Sequence, residues 1–118
     1  METRLGVDAG NISIISHDLA VKYGGIKKVN LKNGLFVEVR ATCDVLTVRV
    51  EDTWRGDVEK DITSEDGELY YVGDACYIIN DAKWDQFLAD TDYLKNMPEG
   101  SACLNTGGDG SFKVIIEN

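Results

Sequence analysis

One histidine, one proline and no apolar run near the roughly 18 residues that a membrane helix needs mark this 118-residue sequence. Each scarcity removes a class of function. The lone His17 has Asp18 beside it, just past a predicted strand, and strand neighbours point to opposite faces, so adjacency makes no Asp–His dyad. Structural zinc needs four N or S ligands in closely spaced pairs, and one histidine with Cys43, Cys76 and Cys103 far apart does not supply them. An odd number of cysteines leaves one unpaired on full oxidation, which predicts three free thiols and a reducing cytosol. Met1-Glu2-Thr3-Arg4 leads into no long apolar segment, so neither secretion nor membrane anchoring is expected and the location is read as cytoplasmic.

The remaining chemical signatures are equally thin. The acidic and glycine-rich stretches lack the alternating Asp/Asn spacing and closing Glu of a calcium hand, and no phosphate loop ending in Lys-Ser/Thr occurs. With 21 acids, a pair of carboxylates arranged for glycoside hydrolysis carries no information. A non-enzymatic protein is expected, with no catalytic residues, cofactor or metal.

What is present is acid. The net charge is −9, unevenly placed: residues 1–50 hold seven basic and five acidic groups, residues 51–118 five basic and sixteen acidic. Phosphate contacts need clustered Lys and Arg, so direct nucleic-acid binding is not expected and a basic protein surface is the better match. A hydrophobic content of 43% is enough for one folded domain over residues 1–118.

Along the chain the pattern is mostly β. Residues 3–16 read as two short strands around Gly10-Asn11, and Leu19-Ala20-Val21-Lys22-Tyr23 as a third, ended by Gly24-Gly25. Residues 26–40 form a predicted hairpin at Asn33-Gly34; register favours a three-residue loop, 32–34, with Gly34 left-handed. The apolar phase resumes at Leu46, Val48 and Val50, predicting a meander over 26–51 with Glu38 facing Arg49. Strands are expected again at 69–72, 75–79, 102–104 and 111–116, the last two flanking a Gly107-Gly108-Asp109-Gly110 hairpin turn. One short helix is predicted near residues 81–90, capped by Asn80 or Asp81, with Trp84, Phe87, Leu88 and Thr91 on one stripe; Pro98 marks a turn. About nine short strands and one helix imply an antiparallel β-sandwich or partly open barrel.

Residues 51–68 break the pattern with eight acids against Arg55 and Lys60, and read as a long polar connection. This segment either is a solvated loop whose Trp54 folds back on the core or is a recognition element. For the second, candidate binding residues are Trp54, Asp57, Glu59, Asp61, Glu65, Asp66 and Tyr70. Asp57, Glu59 and Asp61 alternate as a rigid polyanion mimic requires, and Tyr70-Tyr71 must put one ring on each sheet face, as interface anchors or as core.

Gly73-Asp74-Ala75-Cys76-Tyr77-Ile78-Ile79 followed by Trp84-Asp85-Gln86-Phe87, and then Thr106-Gly107-Gly108-Asp109-Gly110-Ser111-Phe112, resemble a loose group of small phage-encoded and bacterial proteins. Their shared pattern runs Gly-Asp-Pro-Cys-Tyr, a short Trp-containing helix, then Thr-Gly-x-Gly-Asp-Gly and a last strand; Val7-Asp8-Ala9-Gly10 is similar to the Val-Asp-Ser-Gly that opens many of them. The likeness covers residues 5–16 and about 69–116, with Ala75 in place of proline and Gly108 in place of an aromatic residue. It implies a phage or mobile-element origin and brings no activity with it. The expectation is an acidic accessory protein that binds and modulates a host protein, as a DNA mimic or an inhibitor of a host nucleic-acid or defence enzyme. The alternative is a β-domain that assembles with itself, for instance as a homodimer, without catalysis.

Overall fold

The computed structural model describes residues 1–27 and 34–118. Among these are eight strands: β1 (Glu2–Val7), β2 (Asn11–Ser16), β3 (Phe36–Arg40), β4 (Val45–Val50), β5 (Glu59–Thr63), β6 (Leu69–Gly73), β7 (Ala102–Asn105) and β8 (Gly110–Glu117). Three short helices accompany them, α1 (His17–Lys22), α2 (Ala75–Ile78) and α3 (Trp84–Asp90), the last entered through a 3-10 turn at Asp81–Lys83. The strands form two antiparallel sheets, β1-β8-β4-β5 and β3-β6-β2-β7, packed face to face. The sheets stay separate, so the sandwich holds and the barrel does not.

Apolar alternation explains the first sheet. Leu5 registers with Phe112, Val48 with Ile116 and Leu46 with Ile62, and all six point inward. Its outer face is polar and laced with ion pairs, Lys113 reaching Glu2 at 3.1 Å and Glu51 at 3.0 Å. The second sheet is buried on both faces, and the sequence of β2 shows why: all six of its residues are buried. Ile12 and Ile14 join Leu104, Tyr70 and Val72 between the sheets. Ile15 faces the other way and packs with Phe36, Tyr71, Leu19, Tyr23, Ile78 and Phe87 beneath the helices. The molecule thus has three layers and two cores that share the second sheet.

Several expectations need correction. The predicted strand at 19–23 is instead the helix His17–Lys22 and its C-cap Tyr23, because Ser16 caps the turn, its side chain accepting from the Leu19 amide at 3.3 Å; Leu19, Ala20 and Tyr23 then face the sheet while Val21 is exposed. Residues 75–78 are also a helix, started by the Asp74 carboxylate accepting from the Cys76 amide at 3.0 Å. The meander does not form. β3 lies in the second sheet beside β6 and β4 in the first, so Glu38 registers with Tyr71, and Arg49 with Glu59 and Ile115. Period-two phase says which residues point inward, not which sheet they belong to. For the same reason residues 106–109 are a crossing between sheets, not a hairpin turn: β7 pairs with β2, and β8 with β1 and β4.

Gly34 is left-handed as predicted, with φ +67°. Residues 28–33, which hold most of the first strand of the predicted 26–40 hairpin, lie outside the described residues. The helix over 81–90 forms as expected. Asn80 accepts from the Ala82 amide at 2.9 Å, Phe87 and Thr91 are buried, and Trp84 and Leu88 are half-buried on the same stripe. No helix among the described residues is long and apolar enough to cross a membrane.

Candidate functional site

β4 ends at Val50, and after residues 51–58 the chain returns as β5, antiparallel to it, with Thr47 opposite Asp61 and Arg49 opposite Glu59. The segment read as one long connection therefore contains a strand, because the free edge of β4 supplies backbone partners that no local pattern reveals. β5 is the last strand of its sheet, and only Ile62 of its five residues is buried. Glu59 and Asp61 project from one face, roughly 7 Å apart by strand geometry. Asp57, just before the strand, is exposed as well. Arg49 makes its ion pair with Glu51 at 3.7 Å, and no cation partners Glu59 or Asp61 among the described residues.

Trp54 is 70% exposed, yet it is placed: a Cβ added at Gly108 would lie 2.7 Å from its ring, and one at Gly56 would strike the Asn105 carbonyl. These two glycines let residues 54–56 lie flat on residues 105–108. The six-membered ring of the indole lies against Gly108, and most of the side chain is open. Glu65 and Asp66 are exposed in the turn that leads to β6.

Tyr70 departs from its predicted role. It is fully buried between the sheets, its hydroxyl donating to Glu68 at 2.7 Å, and burial, reinforced by that bond, pushes its phenol up. Tyr71 fills the other core, so the two rings do take opposite faces, but neither is available to a partner. His17 sits at the start of α1, not on a strand, with Nδ1 3.0 Å from the Tyr71 hydroxyl. Among the described residues no group of three or more His, Cys, Asp or Glu is arranged to hold a metal ion.

Residues 8–11, 74–76 and Thr106, far apart in the chain, come together around Asp74. This carboxylate is fully buried and accepts from four donors: the Asp8 and Ala9 amides at 2.9 and 2.6 Å, Asn11 Nδ2 at 3.1 Å and the Cys76 amide. Asn11 Oδ1 in turn accepts from Ser13 Oγ at 2.7 Å and from the Ala75 amide at 3.2 Å. The Thr106 amide donates to the Gly10 carbonyl at 3.1 Å, tying in the third segment. In this setting the motif residues close the fold. Burial and the Asp74 charge push the Cys76 thiol up, and burial does the same to Cys103, so neither is an activated nucleophile.

Beside this knot, between β5, β7 and residues 93–95, opens a cleft of about 460 Å³ whose lining includes Lys60, Lys95 and Tyr93. Sequence reasoning missed it, because Lys60 stood among acids and Tyr93 and Lys95 in an unremarked turn. Comparison with protein-family models, with curated proteins and with solved structures finds no match for this chain.

Proposed function

We propose that this chain is a small acidic accessory protein, of the phage type that the sequence resemblance implies, which binds a basic surface on a host protein and modulates it, with β5 standing in for a nucleic-acid strand. The observation that carries this reading is the exposure of Glu59 and Asp61 on one face of an edge strand, without cation partners. Asp57, exposed just before the strand, adds a third carboxylate, and Trp54, in the same connection, leaves most of its surface open to an apolar contact. A strand holds carboxylates at a fixed separation, which a flexible loop cannot do. The matching partner is a nucleic-acid or defence enzyme of the host.

The test compares the intact protein with the Asp57→Ser, Glu59→Ser, Asp61→Ser triple variant as baits in host lysate, with retained proteins identified by mass spectrometry. The expected result is a nucleic-acid enzyme retained at low salt, released as screening rises, and lost by the triple variant. Retention unchanged by the substitutions, or no specific partner at any salt, sinks the proposal.

The second reading, self-assembly into a homodimer, draws on β1, β3 and β7, which end their sheets among the described residues. Light scattering on the purified chain decides it: a monomer throughout the micromolar range removes it.

A further inference from the structure

The cleft beside the Asp74 knot has features that the acidic edge does not use. Lys60 registers with Val48, whose side chain points into the core, so the Lys60 ammonium is directed to the inner side of β5, where the two sheets part. Lys95 lines the same cleft. Neither lysine has a carboxylate partner among the described residues, in a chain with 21 acids. Asp57 also lines the cleft, so two ammonium groups stand against one carboxylate, and the net positive concavity suits an oxyanion.

The rim is built with equal specificity. Asp92, Tyr93 and Leu94 are three successive non-glycine residues with positive φ, 49°, 54° and 71°. Such a run persists only where its surroundings impose it. Here buried Thr91 does so: its Oγ1 donates to the Phe87 carbonyl at 2.8 Å and accepts from the Leu94 amide at 3.1 Å, while the Tyr93 amide donates to the Leu88 carbonyl at 2.7 Å. The outcome is that Leu94 packs on the second core and the Tyr93 ring stands 71% exposed at the mouth of the cleft. The floor, Gly10 and Asn11, is held by Asp74 and Thr106. A preformed concavity of this volume, with convergent polar groups and one exposed ring, suits a small ligand.

We propose that this cleft binds a small molecule that joins a phosphate to a planar ring, of the mononucleotide class, with Lys60 and Lys95 on the phosphate and Tyr93 against the ring. The proposal is independent of the acidic-edge reading. Because Asp57 lines the cleft as well as belonging to the triple serine variant, the Glu59→Ser, Asp61→Ser double variant separates the two readings: it removes the acidic face of β5 and leaves Asp57, Lys60, Lys95 and Tyr93 in place.

The experiment titrates the full-length, isotope-labelled chain with the four nucleoside monophosphates, with adenosine and with inorganic phosphate, following amide resonances of Gly10, Lys95 and Asn105. The expected result is saturable shifts with at least one monophosphate at millimolar or lower concentration, weaker by about tenfold or more for adenosine and for phosphate alone. Lys60→Gln and Lys95→Gln should each weaken binding by about tenfold, and Tyr93→Leu should weaken it while abolishing the preference over inorganic phosphate. All three positions are exposed, and unchanged spectra away from the cleft verify that the variants fold. A Lys60 that serves only as an inward charge guarding the edge of β5 would leave the Lys95→Gln variant indistinguishable from the parent. No saturation by any monophosphate, or saturation unaffected by both lysine substitutions, overturns the proposal.

Discussion

Asp74 is the residue on which most of the molecule's internal polar order depends. A fully buried carboxylate is tolerated only because four donors converge on it, and removing the acceptor leaves those donors unsatisfied away from water. Asp74→Ala should therefore cost about 3–5 kcal/mol in urea unfolding, against about 1 kcal/mol for an ordinary polar truncation; a loss near the smaller figure would mean that water takes over the carboxylate's role. A second pair ties α1 to α3. Tyr23 donates to Asp90 Oδ2 at 2.6 Å, and that bond, with burial and the Asp90 charge, pushes the phenol from 10.0 up to about 12. A folded-state value above the unfolded one means that stability from this group is full below pH 10 and drains away as pH climbs from 10 towards 12. Asp90 is shifted the other way, by its bonds from Tyr23 and Gln86, so its contribution is present above its ordinary value of 3.8 and lost as pH falls below it. Denaturant unfolding of Tyr23→Phe should show a flatter alkaline decline than the parent; an identical slope would remove the Tyr23–Asp90 bond from the account.

Among the elements, β5 shows how one strand can offer an edge and refuse a copy of itself. Any pairing of two β5 strands that overlaps Glu59 and Asp61 and keeps their outer faces continuous sets carboxylate against carboxylate, and the register centred on Lys60 also sets lysine against lysine. Like charges directly opposite are destabilising. Glu59→Thr, Lys60→Val, Asp61→Val should consequently convert the chain to dimers or larger species by light scattering, while the parent does not associate through this edge; a variant that stays monomeric would mean that something other than charge protects β5. The helices were unequally legible. α3 announces itself by Asn80, which caps the 3-10 turn leading into it, and by a stripe of Trp84, Phe87, Leu88 and Thr91, enough turns for a 3.6-residue period to emerge. In α1 and α2, runs of four to six residues fit either period, and only the caps, Ser16 and Asp74, distinguish them.

At the scale of the whole molecule, charge and layering divide the surface. The helices cover one face of the second sheet, while the exposed face of the first sheet neutralises its own charges through Lys113, Arg49 and Arg4. The uncompensated acids Asp57, Glu59, Asp61, Glu65 and Asp66 lie along and beyond the edge at β5, and the Lys60–Lys95 cleft opens beside it. Composition and period-two alternation were sufficient for a mostly β sandwich, for the inward residues of β4 and β8 and for the acidic segment as the outstanding surface feature, since these follow from local burial preference and net charge. Which strands are neighbours was not determined there. β1 to β2, β3 to β4, β5 to β6 and β7 to β8 each cross between sheets, and a strand's alternation is the same whichever sheet receives it. The site divides along the same line. That Glu59 and Asp61 share a face is a property of their spacing once they are in a strand, but that residues 59–63 are a strand, that Tyr70 is buried, and that Lys60 and Lys95 line one cleft were decided by long-range packing, which joins residues that no local pattern relates.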